Sequence, residues 1–300
     1  MKDCGTSSPH EAAVGGNGKP WLFHSSPKGK KAMDGFFHGQ RRYRRMVWSV
    51  LTIVVGVYVG LCGVLFFMQR SMIYMPTPAT AAHTGALALD VTGATLRVSS
   101  RALDGPAAVL YFGGNAEDVA YTVPELAEAF PDRAIYAVHY RGYAGSTGSP
   151  SENAFRSDAR AVFTMVHARH PDVMVIGRSL GTSLAIQLAA EKPVSRLVLV
   201  TPFRSILEIA KRVVPFLPVS LLLRDPYKSW RYAPRVTCPT TIIAASHDEV
   251  VPAADTRRLF EEFQPGIAKF IMIEGTDHNS VSLAPEFWNV ITAESSKNDR

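Results

Sequence analysis

Cysteine is scarce: Cys4, Cys62 and Cys238 are the only three in 300 residues. Cys62 falls in an apolar run and Cys4 in a polar tail, so the chain carries no disulfide framework. None has a histidine at metal-ligand spacing, and nothing else in the sequence requires a metal or cofactor. Net charge is also missing from most of the chain. Nine of the 32 Lys and Arg and three of the 26 Asp and Glu lie in residues 1–45, so the surplus of +6 is confined there and the remainder is neutral. A neutral body offers no electrostatic footprint for a phosphate backbone, which excludes nucleic acid as the expected partner. No internal repeat is visible.

Charge of either sign is absent altogether from Met46 to Met68. As a helix rising about 1.5 Å per residue, this window spans roughly 34 Å, enough to cross a hydrocarbon core. Trp48 lies where an interfacial anchor belongs. A buried core helix fits poorly, because the run is apolar all round. A cleaved signal peptide is the better rival, but its hydrophobic region is normally shorter and does not follow a long polar tail such as residues 1–40. We expect a retained single-pass membrane anchor over 46–68, a basic tail without fixed structure over 1–45, and a globular domain over 70–300. The run Arg41-Arg42-Tyr43-Arg44-Arg45 precedes the span and only Arg70 closely follows it. The positive-inside rule then predicts a cytoplasmic N-terminus and a domain on the opposite face, the periplasmic side if the host is bacterial.

From residue 94 onward, strand and helix patterns alternate. Apolar runs predict strands at 107–112, 133–140, 173–176, 196–200, 240–245 and 269–273. Helical spacing predicts helices at 117–130, 151–170, 184–190, 254–263 and within 285–293. Near-continuous apolar strands separated by helices indicate a mostly parallel sheet with helices on both faces, an α/β class in which ligands bind beyond the carboxyl ends of the strands. Residues 203–232 contain no convincing strand. Their proline-broken apolar run reads either as a packed helical connection or as a short cap over the site that touches lipid.

Gly177-Arg178-Ser179-Leu180-Gly181 stands between the strand 173–176 and a helix. A Gly-x-Ser-x-Gly in that context is a nucleophile elbow, a turn so tight that a side chain at either glycine would collide with neighbouring backbone. A serine nucleophile needs a base, and the base needs an orienting carboxylate. His278 follows the last strand and Asp248 the one before it, so both leave the same sheet edge as Ser179. Asp277, His247 and Asp225 are weaker candidates. The oxyanion donors are expected to be the backbone N–H of Leu180, at the start of the elbow helix, and that of Asn115, in the loop Gly113-Gly114-Asn115-Ala116.

These pieces together carry a resemblance. Residues 70–293 resemble the α/β-hydrolase superfamily, and within it the membrane-anchored serine esterase and acyl-protein-thioesterase-like branch. The matching segments are 112–116 and His139-Tyr140-Arg141-Gly142-Tyr143-Ala144-Gly145-Ser146-Thr147-Gly148 with Pro150-Ser151-Glu152. The elbow, Asp248-Glu249-Val250-Val251-Pro252 and His278-Asn279 complete the set. Two positions depart from the pattern: Gly113 replaces a histidine common in the oxyanion loop, and His139 takes a place often held by Asp or Asn. The resemblance implies an α/β-hydrolase fold and hydrolysis of acyl esters or thioesters through an acyl-enzyme. With the anchor, it implies substrates at a bilayer surface, such as lysolipids, acylglycerols or lipidated proteins. A peptidase or amidase on the same fold, and a catalytically silent membrane-anchored binding protein, are the alternatives.

Overall fold

A computed structural model of the chain describes residues 27–80 and 85–293, in two compact units, Met1–Gly60 and Leu61–Arg300. The first element, α1, runs from Pro27 to Ile73. It is longer than the expected span and corrects the tail: residues 1–26 lie outside the described residues, but from Pro27 the chain is helical. Proline at the first helical position loses nothing by lacking an N–H. The stretch from Gln40 to Ile73 is long and apolar enough to cross a membrane.

The second unit is built on an eight-stranded sheet. Its strands are β1 (Leu87–Val91), β2 (Ala94–Arg101), β3 (Ala107–Phe112), β4 (Ala134–His139), β5 (Asp172–Arg178), β6 (Arg196–Val200), β7 (Thr240–Ala245) and β8 (Ala268–Ile273). They lie in the order β1-β2-β4-β3-β5-β6-β7-β8. All neighbours from β4 to β8 pair in parallel, while β1–β2 and β2–β4 are antiparallel. The β1–β2 hairpin has no counterpart in the sequence reading. Its strands alternate inward Leu96 and Val98 with outward Arg97, a half-buried pattern unlike the continuous apolar runs of the centre. The signal was the Thr92-Gly93 turn, where Gly93 takes φ 77°.

Consecutive residues of β3 face opposite ways and build two cores. Leu110 joins Leu96, Phe155, Val162 and Leu184 on the face covered by α3 (Glu152–His167) and α4 (Leu180–Ala189). Val109 and Tyr111 join Leu126, Ile176 and Phe287 beneath α2 (Thr122–Ala129) and α8 (Pro285–Thr292). Each such buried aliphatic side chain contributes about 1.5–3 kcal/mol relative to exposure. The α2 helix begins five residues later than its periodicity predicts, because Glu117 is engaged elsewhere. Pro124 then sits in its first turn, where proline is tolerated. Ser151 caps α3 by accepting from the Ala154 N–H, as a Ser before a helical pattern predicts.

Between β6 and β7 lie α5 (Ile206–Val213), α6 (Val219–Leu222) and two 3₁₀ turns. Helix α7 (Ala253–Phe260) separates β7 from β8.

Candidate active site

The sheet register assembles the site. Phe112 pairs with Gly177, so the loop leaving β3 and the turn leaving β5 emerge side by side. The order reverses at β3, with β4 on one side and β5 on the other. This is a topological switch point, where two loops diverge and leave a crevice.

Ser179 occupies φ 47°, ψ −113°, a region that L-residues rarely adopt. Its N–H donates to Val200 O, and its carbonyl accepts from both the N–H and the hydroxyl of Thr182. A Cβ at Gly177 would lie 2.8 Å from Gly181 O, and one at Gly181 only 2.1 Å from Phe112 O. Both glycines are therefore required by close backbone approach.

The structure brings Ser179, His278 and Asp248 together. Ser179 Oγ lies 2.9 Å from His278 Nε2, and His278 Nδ1 lies 2.7 Å from Asp248 Oδ2. A carboxylate only accepts, so Nδ1 carries the ring proton and Nε2 is left to accept from the serine hydroxyl. Asp248 is buried, and its other oxygen accepts from the N–H groups of Val250 and Val251 at 2.9 and 2.7 Å. The weaker candidates stand apart. His247 and Asp277 are exposed, and Asp277 accepts from the N–H groups of Asn279 and Ser280. Asp225 pairs with Arg70 at 2.8 Å and accepts from Glu152 N–H at 3.1 Å.

Leu180 is the first residue of α4, so its N–H has no carbonyl a turn earlier to satisfy it. Among the described residues the main-chain N–H of Asn115 has no acceptor either. The Asn115 side chain is committed elsewhere: Nδ2 donates to Ile73 O at 2.6 Å, and Oδ1 accepts from Met75 N–H and the Tyr143 hydroxyl.

Sequence reasoning missed Glu117, which organises this loop. Its carboxylate accepts from Gly114 N–H at 2.6 Å, the Tyr111 hydroxyl at 2.7 Å, the Thr122 hydroxyl at 3.0 Å and Arg178 at 3.1 Å. A Cβ at Gly113 would meet Val119 at 2.5 Å, so no larger residue fits where a histidine is common. From the other side, the Tyr140 hydroxyl donates to Gly113 O at 2.7 Å; burial pushes this phenol well above its ordinary range. The one sequence clue to Glu117 was an acid three residues after Gly113-Gly114. The Arg141–Gly148 loop grips the chain leaving α1, with Ala144 N–H donating to Thr77 O. Arg141 is fixed by a bidentate pair with buried Asp158, both contacts at 2.6 Å.

Ser179 opens into a cavity of about 460 Å³, within the usual range for small-molecule sites. Its walls include Leu65, Phe66 and Met72 of α1, Ile209 and Val213 of α5, and Leu222 of α6. Gln69, Asn115 and Ser179 are its only polar lining residues among those described. No cluster of three or more His, Cys, Asp or Glu able to hold a metal ion occurs among the described residues.

Residues 108–218 match the family described as the alpha/beta hydrolase fold. An uncharacterized protein of Mycobacterium tuberculosis is 31% identical over 252 residues, covering 78% of this chain and 89% of the relative. Among solved structures, the Pyrococcus furiosus esterase Pf2001 superposes with a TM-score of 0.58 at 16% identity, covering 75% of this chain and 97% of the esterase. The Paleococcus ferrophilus monoacylglycerol lipase superposes with a TM-score of 0.51 at 16% identity, covering 67% of this chain and 96% of the lipase.

Proposed function

The chain belongs to the α/β-hydrolase superfamily, and from that premise we propose that it is a serine hydrolase cleaving acyl esters or thioesters of lipid-like substrates at a membrane surface. The observation that carries this reading is a continuous Ser179–His278–Asp248 hydrogen-bonded relay opening into an apolar cavity. His278 takes the proton from Ser179 as the hydroxyl attacks the acyl carbonyl. Asp248 holds the imidazole tautomer and stabilises the imidazolium. The N–H groups of Leu180 and Asn115 receive the tetrahedral oxyanion; one such donor is typically worth about 3 kcal/mol in the transition state. His278 returns the proton to the leaving alcohol or thiol, and water then clears the acyl-enzyme by the same route. An apolar cavity beside the nucleophile favours an acyl chain over a peptide, and esterase and monoacylglycerol lipase neighbours support the same substrate class.

In this reading α1 is a retained single-pass anchor, residues 203–232 form a cap over the site, and the basic run keeps the tail in the cytoplasm. A fluorophosphonate probe should label the wild-type chain and fail to label Ser179→Ala; labelling that survives the substitution rejects the nucleophile. A membrane-impermeant form of the probe should label right-side-out vesicles and leave inverted ones unlabelled. The reverse pattern rejects the orientation.

A further inference from the structure

The last turns of α1 and the two residues after it are fastened to the site by six polar contacts. Gln69 Nε2 donates to Leu222 O at 3.0 Å while its Oε1 accepts from Arg224 N–H at 2.7 Å, so the amide is spliced into the end of α6. Arg70 pairs with Asp225, the hydroxyls of Tyr74 and Tyr227 share a hydrogen bond of 2.9 Å, and Asn115 ties down Ile73 O and Met75 N–H. A simple tether needs none of these. Their effect is to hold Leu65, Phe66 and Met72 in the wall of the cavity that contains Ser179.

Position along the helix fixes what that wall faces. The uncharged run ends at Met68, and Gln69 and Arg70 are the first strongly polar residues after it. Phe66 and Leu65 lie four and five residues before Arg70, about 6–8 Å along the axis toward the hydrocarbon. The cavity therefore reaches the level at which acyl chains of the surrounding leaflet begin.

The α5–α6 segment, which supplies other wall residues, carries an independent signal. Val213, Phe216 and Leu221, at the ends of α5 and α6 and between them, are 73%, 88% and 85% exposed. Lys211, Arg212 and Arg224 stand beside them in the chain. Isolated exposed hydrophobes are ordinary, but three on one short segment flanked by basic residues suit the boundary between acyl chains and anionic headgroups. Continuity with α1 identifies the occupant of this face as the leaflet from which α1 emerges.

We propose that the cavity binds one acyl chain drawn sideways from that leaflet, with the membrane anchor itself, through Leu65 and Phe66, forming the wall that selects chain length. The proposal rests on the reading of Ser179 as nucleophile for its catalytic consequence, and on the cavity alone for binding. Catalytic selectivity is read on the full-length chain in nanodiscs of phosphatidylcholine and phosphatidylglycerol, by comparing kcat/KM for p-nitrophenyl butyrate and palmitate. Leu65→Trp, which fills the cavity, should lower the palmitate-to-butyrate ratio at least about tenfold, the scale on which pockets discriminate small volume changes. Phe66→Ala should move the ratio the opposite way. Phe67→Trp, on the same helix but 82% exposed, should leave it unchanged. Equal ratios in Leu65→Trp, Phe66→Ala and wild type would overturn the proposal.

Binding is read separately, with phosphatidylcholine carrying a diazirine in its acyl chain. On irradiation it should cross-link peptides containing Ile206–Val213, and Leu65→Trp should reduce that yield several-fold. Cross-links absent from α5 would overturn the proposal. Absence of hydrolysis at every chain length, with the α5 cross-links retained, would reject the nucleophile and leave the acyl site standing.

Discussion

Ser179 holds a backbone conformation that costs of order 1–3 kcal/mol, and it persists because its neighbours leave no alternative. Gly181 sets the approach of α4 to the end of β3. Its missing Cβ is the space through which the Phe112 carbonyl passes, and Phe112 C and Gly113 O would also lie within 2.7 Å of an added carbon. All three atoms are backbone, so no side-chain rotation can relieve the clash. Gly181→Ala must therefore push the Gly113–Ala116 loop away from Ser179 or tilt α4, moving either Asn115 or Leu180. Overpacking of this kind costs about 1–3 kcal/mol, a fall in Tm of several degrees for a domain of this size. The expected outcome is a folded, less stable chain that has lost fluorophosphonate labelling. Thermal unfolding and labelling measured on the same sample check it, and full labelling with an unchanged Tm would contradict the geometry.

Among elements, Glu117 is the joint. It ties the end of β3 through Tyr111, the start of α2 through Thr122, the Gly113–Ala116 loop through Gly114 and the elbow through Arg178. Glu117→Gln keeps the shape but exchanges one acceptor oxygen for a donor, which must then face a donor. The loop should lose its register against Ser179 while substrate binding in the cavity is little altered. We expect kcat to fall roughly 10- to 100-fold, less than the outright loss of an oxyanion donor, with KM changed only a few-fold; ester hydrolysis kinetics decide it, and a pure KM effect would contradict the role. This joint also marks the limit of what sequence discloses. The central strands were legible because burial on both faces leaves an uninterrupted apolar run, and Ser179, Asp248 and His278 could be brought to one edge because each follows a strand. The β1–β2 hairpin was not, because an edge strand with one wet face carries polar residues in alternation. Nor were the grip of Asn115 on Ile73, 42 residues away, or that of Gln69 on Leu222, 153 residues away. Such contacts depend on packing that no local pattern encodes.

For the unit as a whole, the buried tyrosines set an alkaline limit. Burial raises the Tyr143 phenol to about 12 and those of Tyr111, Tyr140 and Tyr227 well above their ordinary range. In the unfolded chain each ionises near 10. Between the two values the unfolded state has released a proton that the folded state still holds, so raising the pH favours unfolding. The stability these groups contribute is fully present below about pH 10 and declines above it, by up to about 1.4 kcal/mol per pH unit for each tyrosine. The same residues position the site: Tyr140 holds Gly113 O, and Tyr143 holds Asn115 and Met75 N–H. Alkaline loss of activity should therefore coincide with loss of fold rather than precede it as a separate ionisation. Thermal unfolding from pH 8 to 12, run beside ester hydrolysis, should give a Tm that is level in its tyrosine contribution to about pH 10 and then falls together with the rate. Tyr143→Phe removes one of the titrating phenols, so its Tm should start lower at neutral pH and fall less steeply above pH 10. A parallel slope in the variant would show that Tyr143 ionises as freely in the folded chain as in the unfolded one, contrary to its burial.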